Sequence, residues 1–197
     1  MVIIKTDVSK PDECQSLGSQ TINTFTRLDF TCNNAGISGE QSLTADYSID
    51  GWLKVIHINL NTIFNCEKYE IPEILKTGGA IINMASILGM VGSSSSAANF
   101  ACKYDVPGLT KRAAIEYSAQ GIRINADGPW FISTPMLVEL ENNEKTKATR
   151  EHLVSLHSVG RFGEPEEIAE MVIWLSSKRA SFVTGAYFPV DGGYLSQ

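Results

Sequence analysis

No stretch of this sequence is an uninterrupted apolar run approaching the roughly 20 residues that a membrane helix needs, so no spanning segment is expected. Basic surplus is missing as well. Sixteen Lys and Arg face 22 Asp and Glu, a formal charge of -6, which gives no positive field for gathering phosphates and argues against a nucleic-acid partner. Cysteine is sparse: Cys14, Cys32, Cys66 and Cys102 show neither paired zinc spacing nor the density of a disulfide scaffold. Free thiols in a reducing compartment are expected, with the cytoplasm as default, and Met1 is followed by a strand-like stretch rather than a basic and then apolar leader. Histidine is sparser still, since only His152 and His157 share a helical neighbourhood with His57 far away, and no metal site is expected. No Gly-x-Ser-x-Gly elbow occurs, which disfavours a nucleophilic hydrolase. Repeats and long linkers are lacking too; the one biased run, Ser93 to Ser96, reads as a loop that caps the following helix.

What is present is enough apolar material, 43% of 197 residues, to bury one core, so residues 1–197 read as a single domain. Short β-branched runs alternate with longer segments of helical period, the pattern of βαβ units in an α/β protein with a mostly parallel sheet. Expected strands are Val2 to Lys5, Leu28 to Cys32, Ala80 to Met84, Ile122 to Ala126 and Ala186 to Val190. Expected helices are Pro11 to Phe25, Asp50 to Leu75, Ala97 to Ala119 and Pro165 to Ser177, the first and last opening with proline and acids, which suit a first helical turn. Residues 133–158 are polar with weak apolar spacing and read as a helical flap over a site. In open α/β sheets ligands sit beyond the carboxyl ends of the strands. The residues there are Asn33-Asn34-Ala35-Gly36, Ala85-Ser86, and Pro129 with Thr134-Pro135-Met136, alongside Asn99 to Lys103 on a helix.

In that order and spacing, and with Gly121 to Ala126 and Asp191-Gly192-Gly193, these motifs resemble the short-chain dehydrogenase/reductase family from Asp7-Val8 nearly to the C-terminus. The resemblance implies a Rossmann-like, doubly wound fold, an NAD or NADP cofactor, and hydride transfer at a secondary alcohol or ketone. It implies a small-molecule alcohol or carbonyl as partner, and a homo-oligomer, tetramer or dimer, built through the two long helices. Carried over by position, Asn59 is the water-holding residue, Ser86 bonds the substrate oxygen, and Lys103 binds the cofactor ribose. Asp7 and Val8 correspond to the adenine contacts, Asn34, Ala35 and Gly36 to the ribose-side turn, and Pro129, Ile132 and Thr134 to the nicotinamide side. Asp191-Gly192-Gly193 reads as a closing turn rather than catalytic machinery.

Departures cluster at the centre. The family's proton-transferring tyrosine falls four residues before Lys103, where this sequence has Asn99, and a carboxamide has no proton to exchange with substrate. Tyr104 lies about 140° away around the helix, so core or interface packing is its expected role. Trp130 stands where glycine follows Pro129 and should narrow access; Pro107 removes the N–H that would bond the Lys103 carbonyl, so Lys103 is expected to shift. The sequence starts at what resembles the family's third strand, so the first βαβ unit and its Gly-rich, diphosphate-holding loop are not among these residues. In the family's sheet order two strands come between the matches of Val2 to Lys5 and Leu28 to Cys32. The first segment must therefore slide across or hang loose, and in the latter case Leu28 to Cys32 becomes an apolar edge that invites another chain. Two functional expectations follow: an impaired oxidoreductase of this type, or a pseudoenzyme that keeps the scaffold for binding, with a displaced start codon or pseudogene as a further possibility.

Overall fold

The computed structural model describes residues 1–92, 96–137 and 147–196, with only the backbone of residue 147. Four parallel strands form one sheet in the order β1 (Phe30–Asn33), β2 (Gly79–Met84), β3 (Ile122–Pro129) and β4 (Tyr187–Val190). Each crossover is helical: α1 (Pro11–Phe25) precedes β1, α2 (Ile49–Ile56) and α3 (Thr62–Ile74) lead to β2, and α4 (Ala97–Tyr117) leads to β3. A short α5 (Lys147–Ser155) and α6 (Pro165–Ser176) lead to β4.

Strand alternation sends apolar side chains to both faces. On one, Ile81, Ile122 and Ile124 meet Ile71 and Ile74 of α3 and Ala113 and Ala114 of α4. On the other, Ala80 and Ile82 meet Leu175 of α6, flanked by Trp174 and Phe188. Helices on both faces make the sheet doubly wound, as expected. Arg123 ties β3 to the end of α6 by donating to the Leu175 and Ser177 carbonyls at 2.6 and 3.1 Å.

Several expectations need correcting. Val2 to Lys5 forms no strand; Val2 and Ile3 stay 52% and 85% exposed, and among the described residues β1 pairs with β2 alone. The loose alternative holds, and Phe30 on that open edge is 58% exposed. Asp50 to Leu75 is not one helix, because a π-helical turn at His57–Asn61 divides it. β3 runs on through Pro129, beyond the expected end at Ala126. Ser96 precedes α4 without a capping bond, its hydroxyl lying instead 3.2 Å from the Tyr47 hydroxyl; residues 93–95 lie outside the described residues, as do 138–146 of the proposed flap. Tyr104 is 48% exposed, which excludes the core. All four cysteines are free. Among the described residues no helix is long and apolar enough to cross a membrane.

Candidate active site

A parallel sheet brings the carboxyl ends of its strands to one edge, and there the loops after β1, β2 and β3 open a cleft of about 620 Å³. Asn34 and Gly36 line it from the loop after β1, Ser86 from the end of β2, and Pro129, Ile132 and Thr134 from the end of β3. Asn99 and Lys103, one turn apart on α4, line it with Asn59 from the π-helical turn. The far wall is the apolar side of α6, including Ile168 and Val172. Ala35, Asp7 and Val8 do not line it. With Val2 to Lys5 out of the sheet, no strand carries Asp7 and Val8 to the cleft edge. Asp7 instead accepts from the Ser9 amide at 3.1 Å and the Ser9 hydroxyl at 2.7 Å, and the Val8 carbonyl accepts from Thr62 at 3.2 Å.

The π-helical turn explains how a polar residue reaches this position. An extra residue in the helix swings Asn59 inward, where it is 2% exposed and clamps the loop after β1. Its Oδ1 accepts from the Ile37 amide and its Nδ2 donates to the Ile37 carbonyl, both at 2.8 Å. The same Nδ2 donates to Asn99 Oδ1 at 2.9 Å. Gly36 leaves room for this clamp, since a Cβ there would stand 3.4 Å from Asn59 Oδ1.

Lys103 has not been displaced by Pro107: α4 runs unbroken through the proline, and Lys103 Nζ donates to the Met84 carbonyl at 2.8 Å while lining the cleft. Gly89 packs against the Lys103 carbonyl, where a Cβ would come within 2.6 Å, so the missing N–H bond leaves a contact rather than a kink. Among the described residues no carboxylate pairs with the amine, and burial pushes its pKa down to about 8. Ser86 accepts from the Leu88 amide at 3.3 Å and donates weakly to the Pro129 carbonyl at 3.4 Å, a hydroxyl that a substrate oxygen can recruit. Its own carbonyl is held by the Tyr187 hydroxyl of β4 at 2.8 Å.

Asn33 and Asn34 divide their labour. Asn33 points away from the cleft into a buried network, donating to Asn83 Oδ1 and to Glu70 Oε2, each at 3.1 Å. Asn83 Nδ2 in turn reaches Glu67 Oε1 at 2.8 Å and Thr110 at 3.0 Å. Burial pushes the Glu67 carboxyl up to about 7, partly offset by the Asn83 bond, and raises Glu70 as well. This network was missed, although an asparagine inside the apolar strand Ala80 to Met84 was its visible sign. A second missed group is Asp127 in β3, fully buried, raised to about 7 by burial, and without a hydrogen-bond partner of good geometry among the described residues. Asp191 accepts from the Gly193 and Leu195 amides at 3.0 and 2.9 Å, the turn role expected of it.

The donor set fits the nicotinamide and ribose end of a dinucleotide: an ammonium, an asparagine, a threonine and a loop whose glycine allows close backbone approach. A diphosphate seat is another matter. The N-terminus of α6 reaches the cleft at Pro165, and its first turn carries Glu166 and Glu167, the latter accepting from the Glu164 amide at 2.9 Å, so negative charge already fills it.

Residues 1–195 match the family described as enoyl-(acyl carrier protein) reductase. The chain is 44% identical to a cyclohexanol dehydrogenase of Acinetobacter sp. (strain SE19), over 98% of this chain and 74% of that protein. It is 36% identical to a cis-4-hydroxycyclohexanecarboxylate dehydrogenase of Sinomonas cyclohexanicum, over 97% of this chain and 75% of that one. The solved structure of ElxO with NADP bound superposes with a TM-score of 0.92 at 31% identity, covering 100% of this chain and 79% of that chain.

Proposed function

Because the chain belongs to the short-chain dehydrogenase/reductase family, we propose that it is a nicotinamide-dependent oxidoreductase of a secondary alcohol or ketone on a saturated ring, slowed by Asn99. The observation that carries this reading is the convergence of Ser86, Asn99 and Lys103, with Asn59 behind them, on one largely apolar cleft. Its size suits a flat ring beside an alicyclic substrate, and dehydrogenases of cyclohexanol and of a hydroxycyclohexane acid are among its relatives.

The dinucleotide, NAD or NADP, supplies the hydride donor or acceptor when bound. The chain's own groups do the rest. Ser86 Oγ gives up its weak bond to the Pro129 carbonyl and donates to the substrate oxygen, fixing the ring against α6. Asn99 Oδ1 is already taken by Asn59, so Asn99 offers the substrate its Nδ2 as a donor. It holds the oxygen but cannot move a proton, which removes general acid–base catalysis worth roughly 10²- to 10⁴-fold. Lys103 keeps a positive charge near that oxygen below pH 8 and donates toward the ribose.

The test is an Asn99→Tyr variant assayed with NAD(H) and NADP(H) on cyclohexanol and cyclohexanone. Tyrosine should raise kcat by at least about 10²-fold with a smaller change in KM. Equal and substantial turnover in both proteins sinks the reading of Asn99. Cyclic alcohols and ketones that neither bind nor turn over in either protein sink the assignment itself. A binding role without turnover is the second reading, favoured by the locked Asn59–Asn99 pair; it predicts that the tyrosine variant also stays inactive while calorimetry still detects the ring ligand.

A further inference from the structure

The side chains that meet in the cleft have their hydrogen-bonding capacity unevenly engaged. Asn59 is fully occupied: its Oδ1 accepts from the Ile37 amide, and its Nδ2 donates to the Ile37 carbonyl and to Asn99 Oδ1. What remains around it is a set of donors. Asn99, with its Oδ1 taken, keeps Nδ2. Ser86 holds its hydroxyl proton in a 3.4 Å contact with the Pro129 carbonyl, long for an O–H donor. Lys103 Nζ donates to the Met84 carbonyl at 2.8 Å, and its other N–H groups have no acceptor among the described residues.

These donors are neighbours by construction. Asn99 and Lys103 are four residues apart on α4, a spacing that sets their Cβ atoms about 5–6 Å from each other on one helix face. The carbonyl that anchors the amine belongs to Met84, two residues before Ser86 at the end of β2. Charge is as one-sided as the hydrogen bonding. Among the described residues that line the cleft, Lys103 is the one that carries charge, and much of the wall is apolar, with Ile37, Ile168 and Val172 in it. Burial without a counter-charge pulls the amine's pKa down to about 8, so the protein does not itself stabilise this cation.

A hydroxyl set against such a wall turns its own proton toward donors, and a ketone accepts but brings no charge. A carboxylate only accepts, through two oxygens, and supplies the missing negative charge. We propose that the cleft binds an alicyclic monocarboxylate, its oxygens accepting from Lys103 Nζ, Asn99 Nδ2 and Ser86 Oγ while its ring lies against Ile168 and Val172 of α6. A volume of about 620 Å³ holds such a ring with room to spare. The inference goes beyond the oxidoreductase reading and shares only the cleft with it. A bound acid occupies the donors that a ring alcohol or ketone and the nicotinamide ribose would use, so it inhibits any turnover and is the ligand of a binding role.

Calorimetric titration of the full 197-residue chain at pH 7 tests this, with cyclohexanecarboxylate, the neutral cyclohexanecarboxamide of the same shape, and acetate as probes. At that pH the amine is still mostly protonated. The ring acid should bind at least about tenfold more tightly than the amide, the contribution of one hydrogen bond to a charged group. Acetate, with the charge and no ring, should bind at least about tenfold more weakly than the ring acid. Lys103→Met should bring the ring acid and the amide to equal affinity. Equal affinities for these two in the parent protein, acetate binding as tightly as the ring acid, an acid preference that persists in Lys103→Met, or no saturable binding of the ring acid would each overturn the proposal. If Lys103→Met loses the parent's circular dichroism, the comparison of the three probes on the parent decides. These titrations involve neither nicotinamide nor turnover, so their failure leaves the oxidoreductase reading standing, and an inactive Asn99→Tyr variant leaves this proposal standing.

Discussion

At the scale of single residues, the site is governed by what burial does to ionisable groups that lack a counter-charge. Lys103 donates to one backbone carbonyl and is otherwise desolvated, so its folded pKa falls from 10.5 to about 8. A lowered pKa means stability that is present above the unfolded value and lost as pH falls through the folded one. Lys103→Met should therefore stabilise the protein at pH 7 by ~2–3 kcal/mol, a gain that vanishes above pH ~10.5; urea melts at several pH values measure it. Glu67 has the opposite sign: its folded pKa rises from 4.5 to about 7, so its stability is complete below 4.5 and lost as pH climbs to 7. Glu67→Gln keeps an acceptor for Asn83 and should gain ~2–3 kcal/mol over the parent at pH 8 but nothing at pH 4. Equal gains at both pH values contradict the buried, ionisable carboxyl. Single residues were also where the sequence was most legible for the site: Ser86, Asn99, Lys103 and Asn59 do meet in one cleft. Their spacing within one chain records which strand ends and helix turns carry them. Glu67 and Asp127 were not legible, because a carboxylate in a helix or strand reads as solvated until the packing around it is known.

At the scale of elements, the π-helical turn does the positioning. Among the described residues Asn59 alone satisfies both backbone groups of Ile37, and its removal leaves a part-buried donor and acceptor unpaired. Asn59→Ala should cost ~2–4 kcal/mol, while Asn61→Ala, two residues on and exposed, should cost under ~0.5 kcal/mol. Thermal denaturation of the two variants makes the comparison, and similar losses would count against the clamp. Helical periodicity located α3 well but not this interruption, since one extra residue shifts the face by only about 100° and leaves the apolar pattern readable on both sides. Val2 to Lys5 failed for a different reason. β-propensity records fitness for a pleated, half-buried surface, and a strand forms only where a partner edge and a covering face exist.

At the scale of the whole molecule, that unpaired segment leaves β1 paired on one side only among the described residues, with Phe30 exposed there, and Ile173 of α6, which lines the cleft, is 60% exposed. Open apolar edges recruit other chains unless charge blocks them. Phe30→Lys should reduce concentration-dependent light scattering while leaving the far-ultraviolet circular dichroism unchanged; scattering as strong as the parent's would place self-association elsewhere. Ordered oligomers through α3 and α4 are proposed separately, on the exposed Phe64 and Ile115, and sedimentation of Ile115→Glu tests them. The layered architecture itself was legible because alternating strand and helix patterns admit few arrangements. The hydroxyl of Tyr187 adds a consequence in time. Synthesis proceeds from the N-terminus, so β4 leaves the ribosome after the other three strands, and until it docks the Ser86 carbonyl keeps only the local bond from the Gly89 amide. A nascent chain can thus assemble three strands of its sheet while its working hydroxyl is still unset, and the cleft matures only as the fourth strand docks.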